Sequence, residues 1–465
     1  MTFLPNQPYY YSNPQAQPLN RRVFENITPK TSGESQVLFN SPSNETAVYG
    51  YRPDVAYFNG SGQSQVYFQQ GVKDLYMAGT GGQSLSQVLS EGDTVNLTQA
   101  GSQGARQEAV VAGNIEQSYQ TGANSQNQLT TLGQINWAIM NGEAGTTNQL
   151  TAGSINRLAL GGTNNPNSKG LQNQVMVLGE TQQILSSDYN GYSQGDFPGK
   201  VDQWQDTAQN ATHVLNFFGG LNQGWLQGKG NQNLISAYEN INELAIDKES
   251  SDNKTRISAQ KGMKRFGLGG EKNESKIFND AGEQSAEAVL QGTLNQTLYA
   301  GTGEQTVRIG GEKNQATIVT SAFLGSFSED FKSDAERKSF EAKQKDTLQL
   351  GGNNNKTIAD LGVGDDTIVV HSKEINRDNY AAIEGGSGNN TIILEGRKQD
   401  WKVTKDPKDG SVTFTHKQLK QVIRTNNMTK VEYQRHIDPK TVGFQPKADA
   451  VNGESTPATT NTAKT

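Results

Sequence analysis

The chain has 465 residues, 51 of them glycine and none cysteine, with 47 acidic and 41 basic side chains and a net charge of −6. The lack of cysteine excludes disulfide staples and thiolate metal centres, and the lack of a basic stripe argues against nucleic-acid binding. Only 32% of residues are apolar, and no apolar run approaches the roughly 18 residues of a membrane-spanning helix, which leaves either disorder or a repetitive β structure with polar ladders.

Residues 1–32 read as an irregular arm or cap, with Pro5, Pro8, Pro14 and Pro18 set around Tyr9, Tyr10 and Tyr11. They carry no charged stretch followed by an apolar core, so any export is expected to proceed without a classical signal peptide. From 33 to 185 glycines recur every 20 or 21 residues, at Gly50, Gly71, Gly92, Gly113, Gly133 and Gly153, with an offset series at Gly101, Gly122, Gly142 and Gly162. A unit of this size cannot bury a hydrophobic face alone and must stack on copies of itself. Each unit holds two strand-like runs, such as Asn127-Gln128-Leu129 and Gln134-Ile135-Asn136. Simple alternation places Ile135, Trp137 and Ile139 on one face. Coils stacked about 4.8 Å apart would align Gln65, Gln87, Gln128, Gln149 and Gln174 as an amide ladder.

Between 186 and 272 the glycine beat is interrupted. A loop from Asp188 to Lys200 and a short helix from Tyr238 to Ile246 are expected, as an insertion in a continuous core or as a boundary between two solenoid domains. The beat resumes over 273–396 with Asn273, Asn295 and Asn314, broken by a charged segment, 328–346, that reads as an exposed helix.

Residues 351–394 hold three related nonapeptides, Gly351–Ala359, Leu361–Val369 and Gly385–Ile393. They resemble the G-G-x-G-x-D-x-U-x repeat of the RTX, or hemolysin-type, β-roll. In that family the glycine turn and its aspartate hold Ca²⁺ between adjacent coils, so the resemblance implies a Ca²⁺ site with Gly362, Gly364, Asp365 and Asp366 as ligands. The middle copy alone keeps the acid, Asp366; the third has Asn390 in its place and the first has Lys356. The alternative is a metal-free solenoid in which asparagine ladders supply the bonds between coils. Residues 397–440 are similar to the β-rich module that follows RTX repeats, and 441–465 read as a disordered tail. The N-terminal coils look more like curlin-type ladder repeats.

The four histidines, His213, His371, His416 and His436, show no metalloprotease spacing, and there is no nucleophile elbow or phosphate loop. No enzyme is therefore expected. The expected fold is an all-β parallel β-solenoid of 20–21 residues per coil. The expected role is that of a secreted or cell-surface bacterial protein with a structural or adhesive function. Its expected partners are a surface or matrix polysaccharide or protein and further copies of itself, with no nucleic acid and no transmembrane segment. The rival readings are a harpin-like secreted effector and a carbohydrate-active enzyme built on a β-helix.

Overall fold

The computed structural model describes residues 28, 30 and 35–437, apart from 41–43, 83, 144, 162–169, 282–283, 321–332, 334, 336–344 and 374–375. The tail, and most of the N-terminal arm and of the charged segment at 328–346, lie outside these residues. What is described is a parallel β-solenoid of two facing sheets. Each coil gives one strand to each sheet. One sheet has 18 strands, running from Gln36–Phe39 to Lys430–Gln434. The other runs from Glu45–Tyr49 to Val422–Asn426. Within each sheet, every coil strand pairs in parallel with the strands one coil before and one coil after it, as Gln126–Thr131 does with Arg106–Val111 and Thr147–Ala152.

The strand sequences explain the inside and outside. In the second sheet, strands such as Gln126–Thr131 alternate strictly, so Asn127, Leu129 and Thr131 face inward. In the first sheet the alternation slips by one residue. Ile135 and Ala138 are buried whereas Asn136 and Trp137 both face solvent, and the pairing passes over Asn136. Ile135, Trp137 and Ile139 therefore do not share a face: the local slip at Asn136 sends Trp137 outward. The core between the sheets is continuous and apolar along the stack, from Val37 and Phe39 to Phe414 and Ile423. Trp204 is its largest fully buried side chain. It packs beside Gly224, the residue paired with it one coil on, whose absent side chain leaves room for the indole and for Leu244.

The segment 186–272 is neither a loop and helix insertion nor a domain boundary. It holds eight strands, from Tyr192–Phe197 to Met263–Leu268, all paired in register with the coils on either side. The stretch from Tyr238 to Ile246 is a corner followed by the strand Ile241–Ile246. Glycine is sparse at one corner here for a physical reason. Asn190, Asn210, Asp252 and Lys272 adopt left-handed φ values of 53°, 53°, 56° and 55°, and Asn and Asp tolerate that region better than other side chains. The neighbouring residues Tyr189, Gln209, Lys229, Ser251 and Glu271 bridge coil to coil and fix the corner.

The C-terminal module closes one sheet. After Thr391–Glu395 the chain forms an antiparallel hairpin, Trp401–Lys405 with Val412–His416, which pairs on Val422–Asn426. That last strand rejoins the solenoid by pairing in parallel with Tyr380–Glu384. Trp401 and Phe414 cover the end of the core, and the outermost strand carries Lys402 and Lys405 exposed at the edge, a device that discourages strand addition.

Candidate functional site

The chemistry anticipated at 351–394 sits at two corners of the coil, each just before a strand. At one corner asparagines form a column. The backbone N–H of Asn231 donates to Asn253 Oδ1, Asn253 to Asn273, Asn273 to Asn295, Asn295 to Asn314, Asn314 to Asn355 and Asn355 to Asn379, at 2.8–3.0 Å. Their side-chain amides in turn donate to corner carbonyls, as Asn314 Nδ2 does to Gly310 at 2.8 Å. At the other corner the same geometry is built with acids. Gln305 N–H donates to Asp346 Oδ1 at 2.7 Å, Asp346 N–H to Asp366 Oδ1 at 2.9 Å, and Asp366 N–H to Asn390 Oδ1 at 3.0 Å.

Asp366 is thus a step in a ladder, interchangeable in role with Asn390. The first nonapeptide is out of frame with the other two. Its ladder residue is Asn355, on the opposite corner, and Lys356 is the first outward residue of a strand. Ile358 accordingly faces solvent at 49% exposure, while Ile368 and Ile392 are fully buried. Gly362 and Gly386 stack as left-handed turn residues, with φ of 77° and 69°. A Cβ at Gly386 would lie 1.5 Å from the Gly362 carbonyl, so only glycine permits this turn to stack.

The four residues anticipated as Ca²⁺ ligands are brought near one another but not onto one face. Asp365 is exposed and its Oδ1 accepts the Asn389 N–H at 2.8 Å. Asp366 points into the wall of the coil, 1% exposed. The Gly362 carbonyl accepts the Ser387 N–H, and the Gly364 N–H donates to the Ser387 carbonyl. Ca²⁺ takes six to eight oxygen ligands, and the turn directs one carboxylate outward. Among the described residues no group of three or more acidic or histidine side chains is arranged to hold a metal. These residues do not fit the group the resemblance implies.

Burial governs the acids of this corner. Desolvation raises Asp346 to about 8, against the opposing bonds from Thr320 and the Gln305 N–H. Desolvation likewise raises Asp366 to about 6, and its Oδ2 is buried without a hydrogen-bond partner.

A second buried ionisable cluster carries no motif. His213 is wholly enclosed, with Nε2 3.6 Å from Asp188 and Nδ1 3.6 Å from Asp206, both carboxylates also fully buried. Its Nδ1 lies 3.1 Å from Asn233 Oδ1. Desolvation pulls its pKa down, but Asp206 and Asp188 together outweigh it and hold the imidazolium up to about 10. His213 occupies the inward column of Asn127, Asn148, Asn173, Ser193 and Asn233. The only trace in the sequence is that 20-residue register with Ser193 and Asn233. His371, at the end of a strand, is buried, and desolvation lowers its pKa. At the C-terminal cap, a cleft of about 630 Å³ is lined by Lys373, Glu395, Asp400, His416 and Arg435. The Glu395 carboxylate there is already taken by the N–H groups of Ser372 and Ile437.

These features define a class: a two-sheet parallel β-solenoid whose coils are joined by asparagine, glutamine and aspartate ladders. No family profile, curated protein or solved structure matches the chain. No helix among the described residues is long and apolar enough to cross a membrane.

Proposed function

We propose that this protein is a secreted or cell-surface rod with a structural or adhesive role. The observation that carries the reading is the unbroken parallel pairing of the coils in both sheets, from Gln36–Phe39 to Lys430–Gln434 in the first. Such a rod offers long flat polar faces on which many weak contacts can add. Fractionation of the native cells tests it: recovery in surface or matrix fractions is expected, and confinement to the cytosol would refute it. Dependence on a needle-type secretion system would favour the effector reading instead, and turnover of a polysaccharide would favour the enzyme.

The same reading holds that ladders, not Ca²⁺, join the coils near Asp366. Asp366→Asn keeps the acceptor that the Asp346 N–H needs, so it is expected to leave thermal stability unchanged or raised. Calorimetric titration of the full chain with Ca²⁺ is expected to give no heat at millimolar concentration. A saturable heat that Asp366→Asn abolishes would reinstate the metal.

A further inference from the structure

Among the described residues, the two sheets end out of step at the C-terminal end of the rod. The second sheet continues past Val422–Asn426 by the two strands of the hairpin, whereas the first stops at Lys430–Gln434. The step is two strands deep, about 10 Å. Side chains on its walls face inward but are uncovered. Val431 and Tyr433 continue the columns of Ile392 and Leu394, which are wholly buried, yet Val431 is 40% exposed and Tyr433 only half-buried. Across the step, Val403 pairs with the buried Phe414 and is itself 49% exposed.

The outer edge of Lys430–Gln434 is open as well. The Lys430 N–H donates to the Asn390 carbonyl, and the Gln434 carbonyl accepts the Gly396 N–H. Alternation then turns the N–H and C=O groups of Val431 and Tyr433 to the other side, where no described strand pairs. Lys430 and Glu432 pair with each other at 2.5 Å, so the charges of this strand cancel and do little to repel an added strand. The chain itself supplies a candidate. Ile437, the last described residue, is held at the corner, its N–H donating to Glu395 at 3.1 Å. Shortly after it the sequence reads Thr441-Val442-Gly443-Phe444-Gln445. Val442 and Phe444 alternate with polar or small neighbours, the pattern of a half-buried strand, and Pro439 and Pro446 bound the run.

We propose that residues 441–445 add to this edge as an antiparallel strand and cap the first sheet, with Val442 beside Tyr433 and Phe444 beside Val431. The length of the link decides the direction. Residues 438–440 extend at most about 3.5 Å each from Ile437, and a parallel strand would need a crossover of a dozen or more residues. This register turns both apolar side chains inward over the step and leaves Thr441, Gly443 and Gln445 outward. It also gives the edge N–H groups of Val431 and Tyr433 carbonyl partners. Pro446 follows with no N–H to donate, so the capped edge offers little to another rod. A second copy is the competing occupant, but its two sheets would meet the protruding hairpin, with Lys402 and Lys405, before reaching the step.

The inference goes beyond the adhesive reading and stands or falls without it. Amide hydrogen exchange of the full chain, resolved to single residues, tests it. Val431, Tyr433, Val442 and Phe444 are expected to exchange at least roughly tenfold more slowly than an unstructured chain. Phe444→Asp is expected to return Val431, Tyr433 and Val442 to the unstructured rate while Ile392 and Leu394 stay protected. Val451→Asp, further along the tail, is expected to change none of them. Exchange of Val442 and Phe444 at the unstructured rate in the parent, or protection that survives Phe444→Asp, would overturn the proposal. So would protection of Val431 and Tyr433 that disappears on dilution while Val442 and Phe444 stay unprotected, a result that would assign the edge to a second copy.

Discussion

Asp346 stands where other coils place an amide, and its carboxyl is the costlier choice. Its pKa in the folded protein, about 8, lies above the ordinary value of 3.8. The folded state therefore holds this proton more tightly than the unfolded chain. The stabilisation is fully present below about pH 4 and is lost as pH rises through 8. Asp346→Asn is expected to remove that dependence: equal stability near pH 4 and a more stable variant at pH 8 and above, read from urea unfolding at both pH values. A variant less stable than the parent at pH 8 would show that the ionised carboxylate is needed. His213 obeys the same sign over a different window, its contribution present below 6.5 and lost as pH rises through about 10. His213→Ala leaves Asp188 and Asp206 buried without their cation, which is expected to cost about 3–5 kcal/mol. A loss under about 1 kcal/mol at neutral pH would mean that the imidazole is not charged there.

At the scale of the strand, these ladders end in the same kind of residue, whichever way along the rod they run. Gln205 donates to Gln227 and Gln227 to Asp247; Asn242 donates to Asn222 and Asn222 to Asp202; Asn156 donates to Asn136 and Asn136 to Glu116. An amide passes a hydrogen bond on, because it both donates and accepts, whereas a carboxylate can only accept and so ends the row. The core follows size matching across coils. Trp204 donates its Nε1–H to Ser186 Oγ at 3.1 Å and fills the space that Gly224 leaves. Trp204→Ala is expected to cost about 3–5 kcal/mol, measured by denaturant unfolding, and a cost below about 1 kcal/mol would show that the neighbouring coils collapse into the gap.

Much of this level was legible in the sequence. The glutamine row expected at Gln65, Gln87, Gln128, Gln149 and Gln174 is one column of the second sheet, with Glu108 between Gln87 and Gln128. The two-sheet coil followed from the spacing of glycines. Two things were hidden because the signal used was glycine itself. Corners made by Asn190, Asp252 or Lys272 carry the same backbone without it, and the frame of the first nonapeptide depends on which corner Asn355 occupies. The His213 cluster joins side chains from three coils and has no local spacing to betray it.

For the whole molecule, both sheets run through without a break in pairing, and the hairpin with Lys402 and Lys405 finishes one of them. Eighteen strands in the first sheet, stacked at about 4.8 Å, give a rod of roughly 80 Å. Its continuity through 186–272 and its ladder-held corners at Asp346 and Asp366 support the proposal of a single solenoid whose coils are held together by ladders rather than by metal. Electron microscopy of the purified full chain, in Ca²⁺ and again in a chelator, puts that claim to the test. Single straight rods of roughly 80 Å are expected in both conditions. Two bodies joined at a variable angle, or a rod that shortens or loses order when Ca²⁺ is removed, would contradict it.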